Sequence, residues 1–301
     1  MPIFRILRTT VSEFLEDGCA RMAAALSYYV VFALPPLLVL LLVLLGALID
    51  TDVASRLIQD QFAALAGRGV ADQIAGVVEG ARDPGIGRGP AALLGIGALL
   101  FGATGAFVEL QQALNRVWDV KPDPEQGGVK RFIVKRMLSL GMVLAIGFLL
   151  LVSLVLSAVI TAFDDLFASY LPASWSGAAL RVVNLIVSIG VFTLLFAAMF
   201  RLLPDARIRW RQVWVGALVT TLLFVVGKAL IGVYLGNSEP GQAYGAASSL
   251  AVLLVWIYYS SMIVLLGAEF TQVWAERGGR VVEPEPGAVR IEPARRERAR
   301  D

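Results

Sequence analysis

Few side chains in this sequence are placed to do chemistry, and most of them lie inside long apolar stretches. Lys228 stands seven residues before the end of the stretch Val213–Leu235. Trp256, Tyr258, Tyr259, Ser260 and Ser261 crowd the middle of Ser248–Phe270, and Tyr28 and Tyr29 precede a doubled proline, Pro35-Pro36, in Met22–Ile49. A lysine at that depth either extends its ammonium to the headgroups or faces inward to an anion such as a lipid phosphate. Tyrosine and tryptophan prefer membrane interfaces, so hydroxyls near mid-helix must find partners within the protein, by interhelical hydrogen bonds or in a polar cavity. Lys228, Tyr28, Tyr29, Pro35, Pro36, Trp256, Tyr259 and Ser260 are therefore the substrate-binding candidates. Arg21, Glu109, Asn115 and Glu269 all fall toward one end of their stretches. They could gather into a polar cluster, either a structural ion-pair cluster or a proton or ion site, and the sequence leaves both open.

Other chemistries lack their residues. The chain contains no histidine, which removes the commonest general base and the commonest transition-metal ligand. The lone Cys19 has no internal disulfide partner and reads as packing. Neither a Gly-x-Ser-x-Gly elbow nor a P-loop occurs. No catalytic residue, metal or cofactor is expected, and a net charge of +2 gives no reason to expect nucleic acid as a partner.

These residues must be positioned by helices. Six apolar runs, Met22–Ile49, Pro90–Phe107, Met137–Ile160, Val182–Phe200, Val213–Leu235 and Ser248–Phe270, each approach the ~20 residues a helix needs to cross hydrocarbon. With 57% hydrophobic residues and a mean hydropathy of +0.73, little chain remains for a soluble domain. Twenty of the 26 lysines and arginines fall before the first run, after the second, after the fourth and after the sixth. Basic residues collect in cytoplasmic loops, so both termini should be cytoplasmic. The expectation is an all-α integral membrane protein, a six-transmembrane-helix bundle with an amphipathic N-terminal helix and short amphipathic helices in the first outer loop.

Residues 1–21 are read as the cytoplasmic amphipathic segment, because Phe4, Leu7, Val11, Phe14 and Leu15 form a stripe beside Arg5, Arg8, Glu13 and Glu16. Residues 22–275 hold the transmembrane domain. In its outer loop, 50–89, Val53, Leu57, Ile58, Phe62 and Leu65 and then Val70, Ile74, Val77 and Val78 recur at helical spacing. Two consecutive prolines remove two backbone donors, which predicts a kink or break near the middle of the first span. Such a feature either improves packing or marks a discontinuous helix at a substrate site. Residues 276–301, rich in Gly, Pro, Glu and Arg, are expected to form a disordered basic cytoplasmic tail.

Ala23-Ala24-Ala25-Leu26-Ser27-Tyr28-Tyr29 with Phe32 and Pro36, then Leu114-Asn115-Arg116-Val117-Trp118, then Tyr244-Gly245-Ala246-Ala247 leading into Trp256-Ile257-Tyr258-Tyr259-Ser260 and Gly267-Ala268-Glu269-Phe270, together resemble the YihY/virulence factor BrkB family. The resemblance implies a multi-pass protein of the bacterial cytoplasmic (inner) membrane, with a link to virulence and to envelope lipid handling or transport. It also brings an older ribonuclease BN label, against which the missing histidine argues, since the genuine ribonuclease is a histidine-rich zinc enzyme. The doubled proline departs from the single one expected in the family. The leading functional expectation is a transporter or flippase-like protein for an amphipathic, anionic envelope lipid or small solute, working along a groove between the first, fifth and sixth spans. The alternative is a non-transporting structural or assembly protein. Membrane lipids are the expected partners, and a homo-oligomer is left open.

Overall fold

The computed structural model describes residues 3–46, 50–66, 74–76, 79, 105–123, 137, 141, 173–237, 248–277 and 282–291. Helix α1 (Ile3–Glu16) leads into α2 (Cys19–Gly46), followed by α3 (Thr51–Ala66) and α4, of which residues 105–117 are described. Strand β1 (Val120–Pro122), α5 (Ala173–Leu202), β2 (Ala206–Arg207), α6 (Trp210–Asn237), α7 (Ser248–Glu276), β3 (Glu283–Pro284) and β4 (Ala288–Arg290) complete the order. Among the described residues, Leu185–Leu202 in α5, Trp210–Leu230 in α6 and Leu250–Glu276 in α7 are long and apolar enough to cross a membrane. A fourth span arises if α1 and α2, bent by 62° where they meet, count as one. Of the six expected spans, four fall on α2, α5, α6 and α7; Pro90–Phe107 meets α4 only at its end, and Met137–Ile160 lies almost wholly outside the described residues.

Helix α6 shows why this fold belongs in lipid. Val213, Ala217, Thr220 and Phe224 recur at helical spacing on its buried face. Trp214, Leu218, Leu222, Val226 and Leu230, four residues apart, form an opposite face that is just as apolar and stays exposed. A stripe of that length is costly in water and ordinary against acyl chains.

The buried face of α6 meets α7 at a seam of very small side chains. A Cβ built on Gly216 would overlap the Thr271 side chain, and one built on Gly267 would overlap that of Thr220. The two helices thus present the same Gly-x-x-x-Thr spacing to each other in opposite directions, and each glycine admits the other helix's threonine. Each threonine hydroxyl donates to a carbonyl of its own helix, Thr220 to Gly216 at 2.8 Å and Thr271 to Gly267 at 2.6 Å, so no polar group is stranded in the seam. Farther along, Gly227 leaves room for the Tyr259 ring and Ile263. Beside α6, α5 contributes Phe192, Phe196 and Phe200, whose rings pack in a chain with Phe224, and Thr193 donates to the Thr221 hydroxyl at 3.1 Å.

Gly18, in the turn that follows α1, has a φ of +67°, in the left-handed region that lets a chain leave a helix sharply. Ile6 and Thr10 turn to the bundle, while Ile3, Phe4, Leu7, Val11 and Leu15 remain exposed in one row, matching the apolar stripe read in the sequence apart from Phe14. In the first loop, α3 buries Ala54 and Ile58 in the same packing as Leu34, Leu38 and Leu42 of α2.

Two expectations are corrected here. Helix α2 runs unbroken through Pro35-Pro36, so the discontinuous helix is not found. Leu34 and Leu38, one turn apart across the prolines, are buried against a shared cluster with Ile58 and Ile257, and that packing holds the helical path although two donors are missing. The tail, too, is ordered over residues 282–291. Strand β4 pairs antiparallel with β1, Val120 opposite Arg290, and β3 pairs with β2, Ala206 opposite Pro284, which adds two short sheets to the all-α expectation. Gly287, at a φ of +83°, turns the segment between the two pairings, and Val282 packs on the main core. Composition suggests disorder because the apolar residues are few; they are spaced to meet backbone already presented by the other turns.

Candidate functional site

Two arrangements could carry function: a cavity between helices, and a polar junction at the end of the bundle where most arginines lie. The cavity, about 270 Å³, opens between α2, α4, α5 and α7. Leu26, Ala33 and Leu34 of α2, Phe107 of α4, Met199 of α5 and Val264 of α7 wall it, and the serines Ser260 and Ser261 supply its polar side chains. Ala33, Ala106, Ser260 and Ser261 are the small residues of this lining, and they leave space among the larger aliphatic ones. Such a lining suits a length of acyl chain better than a hydrated solute.

The junction is organised by Asp205, in the turn between α5 and α6. Asn115 of α4 donates from Nδ2 to Asp205 Oδ2 at 2.9 Å and accepts the Asp205 backbone N–H at 2.7 Å. Gln111, one turn earlier, donates to the Leu203 carbonyl at 2.9 Å and to Asp205 Oδ1 at 3.4 Å. The Asp205 carbonyl then accepts the backbone N–H of Glu285 at 2.9 Å. Segments distant in sequence are tied by one turn residue, and Ile291 N–H donating to the Asp119 carbonyl at 2.7 Å fastens the far end of the tail.

Nearby, Arg116 pairs with Asp17 at 3.2 Å across α4 and the α1–α2 turn. Burial raises the Asp17 carboxyl to about 6, against the lowering pull of the Arg116 guanidinium. Asp119 is raised as well, by burial first, with Arg290, Arg116 and a hydrogen bond from Gln272 opposing. In the helices, Glu269 is fully buried, and its Oε1 accepts the Cys19 thiol at 3.3 Å while Oε2 has no hydrogen-bond partner among the described residues.

The expected cluster of Arg21, Glu109, Asn115 and Glu269 is not assembled. Asn115 turns to Asp205, Glu269 to Cys19, Arg21 is exposed and Glu109 is partly exposed. Depth along a helix is enough to place them at one end, but it carries no information on which way each points. Tyr28 and Tyr29 lie on the outer face of α2 at 58% and 45% exposure, with Tyr28 against Phe32 at 4.7 Å between ring centroids. Pro35 is exposed; the Pro36 side chain lies outside what is described. Lys228 stands on the exposed side of α6 next to Val226 and Leu230, away from the cavity lining. Trp256 and Tyr259 are partly buried against the core, and Ser260 reaches the cavity. The structure therefore brings Ser260, but not Lys228, Tyr28 or Tyr29, to this cavity.

The family model described as virulence factor BrkB matches residues 10–292, nearly the whole chain. This chain belongs to that family. Its match takes in the tail strands as well as the helices, in keeping with a tail that is part of the BrkB fold. Relatives include UPF0761 membrane proteins of Azotobacter vinelandii, 31% identical over 268 residues (87% of this chain and 61% of the relative), and of Saccharophagus degradans, 28% identical over 286 residues (91% and 60%). That of Psychromonas ingrahamii is 28% identical over 267 residues, covering 87% of this chain and 84% of its own length. The chain spans about three fifths of the length of the first two. No solved structure matches it.

Several residues of this BrkB chain that matter to the arrangement are not singled out by sequence reasoning. Asp205 is visible as part of the turn Leu203-Pro204-Asp205-Ala206, and Gln111 and Asn115 share a helix face at i and i+4. The signal that could have joined them is an aspartate in a proline-initiated turn with amide side chains one helical turn apart elsewhere. The Gly216–Thr220 and Gly267–Thr271 spacings are equally present and equally silent about pairing.

Proposed function

We propose that this multi-pass membrane protein accepts and moves an amphipathic, anionic envelope lipid, in the manner of a transporter or flippase, with both termini in the cytoplasm and no catalytic step. The observation that carries this reading is the apolar cavity between α2, α4, α5 and α7, whose serines sit among aliphatic walls. A lining of that kind favours a lipid over a small polar solute, which would need several convergent polar groups. The chain has no phosphate-binding loop of its own, so movement is passive, ion-coupled or driven by a partner.

The test is a lipid-scrambling assay in reconstituted vesicles with Ala33→Phe, which fills the cavity from α2. Activity should fall to the level of protein-free vesicles while the protein stays folded; full activity in a folded variant rejects the reading. Lys228→Ala in the same assay asks whether that ammonium holds the anionic group, and unchanged activity removes it from the site.

The tail supports a second reading, a non-transporting assembly protein. Strands β3 and β4 fasten to two separate turns and make a rigid platform at the basic end of the bundle. Because the tail is built into the fold, truncation after Glu276 would disturb both functions. Glu283 is exposed and Glu285 half-buried, and both hold the platform through their backbones, so replacing the two side chains with glutamine leaves the pairing intact. That double change discriminates instead: an assembly role is lost and scrambling is retained.

A further inference from the structure

A second cavity, about 560 Å³, lies between the start of α6 and the end of α7. Arg209, Arg211 and Arg277 line it together with Gln212, Val215 and Trp274, and among the described residues no acidic one does. All three arginines are exposed, and one of them, Arg277, is held by an aromatic ring. The Arg277 guanidinium stacks 3.2 Å from the centre of the Trp274 ring, and that ring lies nearly parallel to Phe270, 6.0 Å away at 18°. A guanidinium held flat on an aromatic face keeps its N–H fork in plane for oxygen acceptors. Gln212 links the two ends: its Nε2 donates to the Ala275 carbonyl of α7 at 3.3 Å, and its Oε1 accepts the Arg209 N–H just before the start of α6 at 3.4 Å.

The surroundings fix the depth. Trp210 and Trp214 are 47% and 44% exposed and head the outward apolar stripe of α6 that continues through Leu218 and Leu222. Tryptophan in that position marks the boundary between acyl chains and headgroups, so the three arginines beside it stand at phosphate level. The adjoining cavity, which shares Arg209 and Gln212 with this one, makes a contrast, because there Arg201 and Arg207 line it together with Glu283 and Glu285.

We propose that Arg209, Arg211 and Arg277 form a binding site for the phosphate headgroup of an anionic phospholipid in the leaflet facing the basic end of the bundle. The guanidinium forks grip phosphate oxygens, and Trp274 and Val215 lie along the start of the lipid. A lipid held here need not be a transported one, so the site stands independently of the scrambling activity.

The full chain is reconstituted in nanodiscs of phosphatidylcholine, alone or mixed with phosphatidylglycerol, and the lipids retained after detergent extraction are measured by native mass spectrometry. Phosphatidylglycerol should be enriched over phosphatidylcholine, with the enrichment lost at high salt. The triple change R209Q/R211Q/R277Q should lower it about tenfold or more, and Arg277→Lys, which keeps the charge and loses the fork and the stack, several-fold. Equal retention of the two lipids by the unaltered protein overturns the proposal without any variant having to fold. Undiminished enrichment in a folded triple variant overturns it as well. Competition by millimolar inorganic phosphate would show a site for free anions and reject the lipid as its occupant, whereas insensitivity to phosphate supports the lipid. Loss of enrichment with scrambling intact, or the reverse, separates this site from the transport reading.

Discussion

The seam between α6 and α7 and the cavity among α2, α4, α5 and α7 are both made from small residues, yet one is closed and the other open. At the seam, glycine on each helix faces threonine on the other, so the backbones approach until side chain meets main chain. In the cavity, alanine and serine face aliphatic side chains that do not reach across. Small residues on a membrane helix therefore do not by themselves mean close packing; the complement on the facing helix decides. Helix α7 thus carries both kinds of packing, close at Gly267 and Thr271 and open at Ser260 and Ser261.

The seam is most sensitive at Gly216 and Gly267. Leucine at either position has to occupy volume already held by a threonine whose hydroxyl is tied to its own backbone. The helices must part, at a cost of about 3 kcal/mol or more. Gly216→Leu and Gly267→Leu should each cause the loss of a monodisperse peak on size exclusion in mild detergent. An Ala33→Leu change in the cavity of the same protein should change stability by only about 1 kcal/mol in either direction, read as a small shift in melting temperature. Equal damage at both places would mean that the cavity is as tightly packed as the seam.

A smaller effect is expected at the polar junction. Asn115→Ala removes two hydrogen bonds from Asp205, at 2.7 and 2.9 Å, and leaves a partly buried carboxylate facing an apolar methyl. The expected loss is about 2 kcal/mol, measured by thermal unfolding in detergent. Asn115→Asp should be worse than alanine, because it sets one carboxylate against another, and an aspartate variant as stable as the wild type would show that the junction does not organise this end of the bundle.

The helices are legible because the cost of leaving peptide groups unpaired in lipid writes itself along the sequence as long apolar runs. Ser248 begins both the last run and α7, and Val213–Leu235 lies inside Trp210–Asn237 with little to spare at either end. The run Val182–Phe200 understates α5, which starts at Ala173 and stops at Leu202, two residues before Pro204. What is not legible is rotation about each axis and pairing between distant segments. Hydropathy places Tyr28, Lys228 and Ser260 in the apolar runs alike, but of the three only Ser260 turns toward the cavity. The tail fails for a related reason: Glu283 and Val289 look isolated in a stretch rich in charge and proline, and their strand partners, Arg207 and Lys121, lie far earlier in the chain. The BrkB-like motifs find the family, and within them Asn115 and Glu269 prove to be buried, without revealing that each has a different partner.

The smallest effect concerns the α1–α2 turn, where Asp17 meets Arg116 outside both the seam and the cavity. Its carboxyl is raised by burial from 3.8 to about 6. The folded protein therefore holds this proton more tightly than the unfolded chain does, and between those two values it is the folded state that binds more protons. Stability from this group is fully present below the unfolded value and is lost as pH rises through about 6. The pair with Arg116 limits the loss without reversing it, since the guanidinium is nearly half exposed and screened. From this group alone, the melting temperature at about pH 4.5 should exceed that at about pH 7 by an amount equivalent to about 1 kcal/mol. Asp17→Asn should flatten that part of the pH profile and leave the scrambling assay unchanged. A profile that keeps its slope in the asparagine variant would assign the proton to another carboxyl at this end, with Asp119, also raised by burial, as the next to replace.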